Sequence, residues 1–301
     1  MPADIERTPE QRVVEAAARL PAHGGVTGWA ALRWLGGRWF EGTRGQELLP
    51  VTLALGSRRS LRAGRSHAIS QELVPAGDIV RDSGLRVTNA LWSVAFEMRK
   101  APREVDAIVA FEMAAYDDLV SIAELSAYVD SALWLRQGVP RVRDLLSRLD
   151  ENSWSPMEPH MRCAWCGAGF PRPLANRPVF DRSGRFVGTP DLIDLANGVY
   201  GMYDGGLHLA GHVRRGDVEK ESAYRALGLE GAIMMAGDVG DPGAFQARLR
   251  GAYERAARRP VADRGWLLEC PDWWVPTFTV EQRRALSAYD ATRFLRYRRA
   301  S

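Results

Sequence analysis

The stretch Gly188-Thr189-Pro190-Asp191-Leu192-Ile193-Asp194-Leu195-Ala196-Asn197-Gly198-Val199-Tyr200-Gly201-Met202-Tyr203-Asp204-Gly205 decides the reading of this chain. Asn197-Gly198 is a strong short-range hairpin signal, because both central positions of a type I′ turn need φ > 0. Strand-like runs flank it, Asp191–Leu195 before and Val199–Tyr203 after. A turn centred on that pair opposes Asp191 to Asp204 and Ile193 to Met202, with opposed Cβ atoms roughly 5 Å apart. Two ionised carboxylates at that separation repel by roughly 3 kcal/mol at an effective dielectric of about 20. A shared proton or a divalent cation relieves that repulsion, and an all-oxygen site suits Mg²⁺ or Mn²⁺. A plainer reading stands beside it: Asp191 opens a strand, Asp204-Gly205 is another turn, and a three-residue loop puts the two aspartates on opposite faces.

Outward from the hairpin, a chain of 301 residues is too long for most single cores, which implies more than one domain. No apolar run approaches the ~20 residues of a membrane span, so no membrane partner is expected. The N-terminus, Met-Pro-Ala-Asp-Ile-Glu-Arg, lacks the basic and apolar blocks of a signal peptide. Three cysteines, an odd count, point to a reducing cytoplasm rather than a disulfide framework. Charge is unevenly spread. Val26–His67 carries seven Arg against two Glu, Trp92–Leu135 eight acids against three bases, and Glu281–Ser301 six Arg against two acids.

Taken in order, Thr8-Pro9-Glu10-Gln11 starts a helix with Thr8 as N-cap and Val13, Val14, Ala17 and Leu20 as its apolar stripe. A second short helix, Trp29–Leu35, follows with Thr27 as its cap; two short helices joined by a Gly-bearing turn fit a helix-turn-helix. Strand-like Pro50–Leu55 and His67–Leu73 enclose Ser57–Ser66, a loop with four Arg and no acid. A basic loop between two strands after short helices fits a winged-helix wing, whose cations contact phosphates; an ordinary solvated loop fits the same residues. This predicts a winged helix-turn-helix over 1–90, with Arg33, Arg58, Arg59, Arg62 and Arg65 as DNA-contacting cations. Helices over Asn89–Lys100, Arg103–Tyr116, one capped by Ser121 with Glu124, and Val142–Leu149 make an acidic connector over 91–151. Met157–Trp165 reads as a helix in which Cys163 and Cys166 are buried structural thiols, since zinc needs four ligands. Helix Val213–Leu227, strand Leu229–Met235 and helix Pro242–Ala257 complete an α/β domain over 152–260. In the tail, 261–301, Trp273-Trp274 and an Arg-rich helix Glu281–Arg299 pack on the core or meet phosphates.

Four motifs in the second half carry a resemblance. Ser155-Pro156-Met157-Glu158, Pro190-Asp191, Met202-Tyr203-Asp204-Gly205 and His208 resemble the PD-(D/E)xK nuclease superfamily, and within it the branch akin to very-short-patch-repair endonucleases. Members of that branch show a Ser-Pro-x-Glu helix start, a Pro-Asp on a strand, Glu-x-Asp-Gly, and a His shortly after. Val26-Thr27-Gly28-Trp29-Ala30-Ala31 and Gly84–Thr88 are similar to the AbiEi family of antitoxin-like regulators, which often precedes this domain in actinobacterial proteins. The resemblance implies a restriction-endonuclease-like α/β domain acting on double-stranded DNA. It implies Mg²⁺ or Mn²⁺ at Asp191 and Asp204, His208 or Glu158 as base or water-orienting group, and Lys220 facing developing charge. One departure stands out: Met202 replaces the usual Glu, and a thioether is a poor ligand for a hard cation. Either the remaining acids suffice for a DNA endonuclease, or the nuclease fold is a scaffold in a DNA-binding, antitoxin-like regulator. The oligomeric state is not written in these motifs.

Overall fold

The computed structural model describes residues 7–57, 61–133, 136–205 and 211–299, and their side chains except those of 211–218, 261, 297 and 299. The chain is of mixed α/β class. It divides into two compact units, Met1–Glu151 and Asn152–Ser301.

In the first unit the Thr8 hydroxyl accepts the Gln11 N–H while the Gln11 side chain accepts the Thr8 N–H, starting α1 (Pro9–Ala17). Its buried stripe is Val13 and Ala16, with Val14 turned to solvent. There follow β1 (Gly25–Thr27), α2 (Trp29–Trp34), the small hairpin β2 (Thr43–Arg44) and β3 (Glu47–Leu48), then β4 (Val51–Ala54), β5 (His67–Ser70), β6 (Ile79–Asp82) and β7 (Leu85–Thr88). Five strands form one sheet in the order β5-β4-β1-β7-β6.

This sheet corrects the winged helix-turn-helix expectation at two points. Strand β1 lies between α1 and α2, so no simple turn joins them; Val26, flanked by Leu53 and Val87 on the neighbouring strands, is fully buried. Strands β4 and β5 run parallel, Val51 beside His67, so the basic segment between them is a crossover and not the tip of a hairpin wing. The cap of α2 also differs. Thr27 sits in β1, its hydroxyl accepting from that of Thr88 at 2.9 Å. The Trp29 N–H instead donates to the Glu97 carboxylate at 2.8 Å. Gly28 makes that approach possible: its φ is 65°, and a Cβ there would stand 2.3 Å from Glu97 Oε1. Glu97 belongs to α3 (Ala90–Lys100), which is followed by α4 (Glu104–Tyr116), α5 (Ile122–Ser131) and α6 (Val139–Leu145). Asn89 caps α3, and Ser121 with Glu124 boxes the start of α5.

The second unit opens with α7 (Met157–Gly167), β8 (Leu174–Ala175), the hairpin β9 (Val179–Phe180) and β10 (Phe186–Gly188), then β11 (Leu192–Asp194) and β12 (Val199–Asp204). After α8 (Gly211–Leu227) come β13 (Glu230–Met235) and α9 (Gly243–Ala257). A mixed sheet runs β13-β12-β11-β8, with β12 and β13 parallel. One face packs Met161, Trp165, Leu192, Val199, Phe245 and Leu249; the other packs Ile193, Tyr200, Tyr224 and Trp266. The outer edge of β13 is closed by side chains: Arg248 Nε–H donates to the Ile233 carbonyl at 2.8 Å, and the Met235 N–H donates to Asp238 at 2.7 Å.

The hairpin register is corrected by one pleat. Leu192 pairs with Gly201, Ile193 with Tyr200 and Asp194 with Val199, leaving a four-residue loop in which Asn197-Gly198 is the end and not the centre. Asp194 causes the shift. Its carboxylate accepts the Asn197 N–H at 3.0 Å and the Asn197 amide at 2.8 Å, closing an Asx-type turn one step earlier. Gly198 alone takes a positive φ, 71°, in this loop. The tail differs as well. The expected long helix is two short ones, α10 (Val280–Arg284) and α11 (Ala288–Phe294), because the Ser287 side chain accepts the Asp290 N–H and starts a new helix. Trp274 stacks on Phe186 with ring centres 5.6 Å apart, whereas Trp273 is 59% exposed.

Candidate functional site

Asp191 stands immediately before β11. Its Oδ2 accepts the Tyr203 N–H at 2.7 Å, and its carbonyl accepts the Asn176 N–H at 2.9 Å. Continuing the observed pairing by one residue puts Asp191 across from Met202. Asp204 is therefore one pleat further along the same face, exposed, and not directly opposite Asp191. Diagonal neighbours of this kind have separations of roughly 7–8 Å, so the expected direct Asp191–Asp204 pair is corrected.

The carboxyl that meets Asp191 electrostatically is Glu158, in the first turn of α7 and only 3% exposed. The Trp154 N–H donates to Glu158 Oε2 at 2.8 Å, and the Asn176 amide donates to the same oxygen at 2.5 Å. Burial pushes the Glu158 carboxyl well above the usual carboxylate range, and the charge of Asp191 pushes it further; the bonds from Trp154, Asn176 and Ser155 pull the other way. The Asn176 backbone is left-handed, φ 46°, and its amide also donates to the Asn152 carbonyl at 2.7 Å. The Asn152 amide donates in return to the carbonyls of Ala175 at 2.7 Å and Asn176 at 3.1 Å. This reciprocal pair fixes the loop before α7 against the loop after β8, and with it the buried carboxyl.

Tyr224, from α8, completes the surroundings. It is 1% exposed, and its hydroxyl has no acceptor among the described residues. A Cβ on Gly188 would stand 2.4 Å from that hydroxyl, so only glycine lets the tyrosine lie against the strand leading to Asp191. Burial raises the phenol, with the neighbouring Tyr200 and Asp191 adding to the rise. Sequence reading missed both Asn176 and Tyr224. An isolated Asn in a loop and an aromatic on a helix stripe carry no signal of their own.

Of the residues expected to act, the structure brings Glu158 and Asp191 together, sets Asp204 one pleat away, and places Lys220 on α8 with an exposed side chain. His208 lies outside the described residues. No three His, Cys, Asp or Glu side chains among the described residues gather into a metal-holding group. The residues fit one hard cation in part: there is an excess of carboxylate around Asp191, but Met202 offers sulfur where an oxygen is wanted. None of Cys163, Cys166 and Cys270 is in a disulfide; Cys163 is half-buried and Cys166 exposed, which corrects their reading as buried thiols.

The cations expected to contact DNA divide similarly. Arg62 and Arg65 are exposed on the crossover, while Arg58 and Arg59 lie outside the described residues. Arg33 has its guanidinium paired with Glu10 and donates to the Arg38 carbonyl at 2.7 Å. No helix among the described residues is long and apolar enough to cross a membrane. Comparison with protein-family models, curated proteins and solved structures finds no match.

Proposed function

We propose that the second unit is a metal-dependent endonuclease domain acting on double-stranded DNA, with Glu158, Asp191 and Asp204 as its acidic centre. The observation that carries the reading is a fully buried Glu158 held against the charge of Asp191. A second carboxyl placed there weakens the fold unless a proton or a cation offsets it. Asp191 and Asp204 would hold Mg²⁺ or Mn²⁺, which would polarise a phosphodiester and acidify a bound water. The chain's own groups do the rest. The Tyr203 N–H fixes the orientation of Asp191, Glu158 retains a proton to higher pH than an ordinary carboxyl, and Lys220 supplies positive charge to a phosphate approaching α8. The test is conversion of supercoiled plasmid to nicked circle in Mg²⁺ or Mn²⁺. Loss of nicking in Asp191→Ala is expected, and cleavage that persists in that variant sinks the assignment.

Met202 favours a second reading, because it puts a thioether directly across from Asp191. In that reading the protein is a DNA-binding, antitoxin-like regulator and the acidic unit a scaffold. Arg62 and Arg65 then contact phosphates, and each lost contact lowers the log–log salt slope of DNA binding by about 0.9. An unchanged slope in Arg62→Ala/Arg65→Ala removes the crossover from the interface.

A further inference from the structure

At the turn end of the β11–β12 hairpin, away from the acidic residues, a cavity of about 200 Å³ opens between the loop Ala196–Asn197 and the C-terminal end of α9. Its walls include Asn197, Tyr253, Ala257, Arg259, Arg264 and Trp266. Two guanidinium groups line it and, among the described residues, no carboxylate does. Arg264 donates through Nη2 to the Ala196 carbonyl at 2.8 Å and lies over the Trp266 ring, yet its buried Nε–H has no acceptor among the described residues. Arg264 thus enters the cavity wall with hydrogen-bonding capacity that the fold has not used.

The walls are fixed before any ligand arrives. Arg182 donates to the carbonyls of Arg264 and Ala262, pinning the loop that carries Arg264. The Gly265 N–H donates to the Leu227 carbonyl at 3.0 Å, and Trp266 Nε1–H donates to the Leu195 carbonyl at 3.0 Å. On the opposite wall, Asn197 is tied to Asp194, which also accepts from the Tyr253 hydroxyl at 2.8 Å. The segments carrying Arg264 and Asn197 are therefore held in place, and the cavity is cationic. Two features oppose an anion there. Glu230 lies 4.0 Å from Arg259, but it is already paired with Arg255 at 2.7 Å. The C-terminal end of α9 carries negative partial charge, but its Arg255 and Ala256 carbonyls accept the N–H groups of Arg258 and Arg259.

We propose that this cavity is a phosphate-binding site, in which Arg259 and Arg264 embrace the oxygens of a phosphate group. Guanidinium groups suit phosphate because their planar forks match its oxygens and never lose charge. The phosphate has two available sources, a free phosphate monoester or the backbone of bound duplex DNA. The site does not depend on the acidic centre being active.

The test uses the full chain and inorganic phosphate as probe, followed by ³¹P line broadening at constant ionic strength, against Arg264→Lys, Arg259→Gln and Ala257→Trp. Ala257 is exposed and on the cavity wall, so the tryptophan plugs the space without changing charge. Arg259 is likewise exposed, so Arg259→Gln keeps the test meaningful even if Arg264→Lys folds poorly. Saturable broadening in the wild type and binding about tenfold weaker or more in Arg259→Gln and Ala257→Trp are expected. Given that loss, a salt slope for duplex DNA that falls by about 0.9 in Arg259→Gln identifies backbone phosphate as the source, and an unchanged slope identifies a free phosphate monoester. Broadening that does not saturate, or that survives either Arg259→Gln or Ala257→Trp, overturns the site.

Discussion

Replacing Glu158 by Gln tests the acidic centre without removing its scaffold, because the amide oxygen can still accept from Trp154 and Asn176. The folded-state carboxyl is raised above the usual 4.5, chiefly by burial and then by Asp191. The folded chain therefore keeps a proton that the unfolded chain has already released. Glu158 contributes its full stability below the unfolded value, and that contribution falls as pH rises toward the folded value. One proton sets the steepest slope, about 1.4 kcal/mol per pH unit. For a domain of this size, 1 kcal/mol moves the melting temperature by roughly 2–4 °C. Wild type minus Glu158→Gln should thus decline by about 3–6 °C per pH unit just above the normal carboxylate range, then level off. Melts of both proteins between pH 4 and 8, in chelator, followed by near-ultraviolet circular dichroism, give the difference directly. Millimolar Mn²⁺ should recover part of the wild-type loss and, since Asp191 and Asp204 remain, raise the variant as well by a smaller amount. A difference that stays constant across the pH range refutes the burial of Glu158 beside Asp191.

Three further outcomes follow from the same geometry. Met202→Glu puts a carboxylate across from Asp191, so it should melt below wild type in chelator yet gain more from millimolar Mn²⁺; equal gains would mean that position 202 does not face Asp191. Tyr224→Phe removes a hydroxyl that has no acceptor among the described residues, and urea unfolding should show a gain of about 1 kcal/mol or more; a loss would show that the hydroxyl has a partner in solution. Gly198→Ala combines a positive φ with a Cβ 2.6 Å from the Trp266 ring, and should cost at least about 2 kcal/mol; an unchanged midpoint would remove Trp266 from over the turn.

What the residues alone revealed was local. Thr8 and Ser121 start helices because a side-chain oxygen two or three residues ahead of its donor needs nothing from the rest of the chain. Asn197-Gly198 announces a turn for the same reason. Its register escaped because Asp194 closes the loop one step early, and Asp194 is itself held by Tyr253, 59 residues further on. The parallel pairing of β4 and β5 was equally hidden, since alternation along a strand says which face is buried but not which way the neighbour runs. Glu97 as the cap of α2 belongs with these: its partner Trp29 lies 68 residues earlier, and only Gly28 hints that something comes close. In the acidic centre, Glu158 and Asp191 were legible as types, while the loop that buries Glu158 depends on the left-handed Asn176.

The closed flank of β13 bears on how this protein behaves in company. A sheet grows by strand addition wherever a row of outward N–H and C=O groups is free. Here the other border, β8, is only two residues long, so β13 is the one flank with the length to recruit a newcomer. Ile233 and Met235 put apolar side chains there, 37% and 51% exposed, which would reward such a visitor. Arg248 and Asp238 occupy the Ile233 carbonyl and the Met235 amide before another chain can reach them. A single guanidinium thus helps set the concentration at which separate molecules stay separate. Its loss would surface as turbidity in a concentrated stock as well as in a weaker fold, since Arg248 also pairs with Asp238.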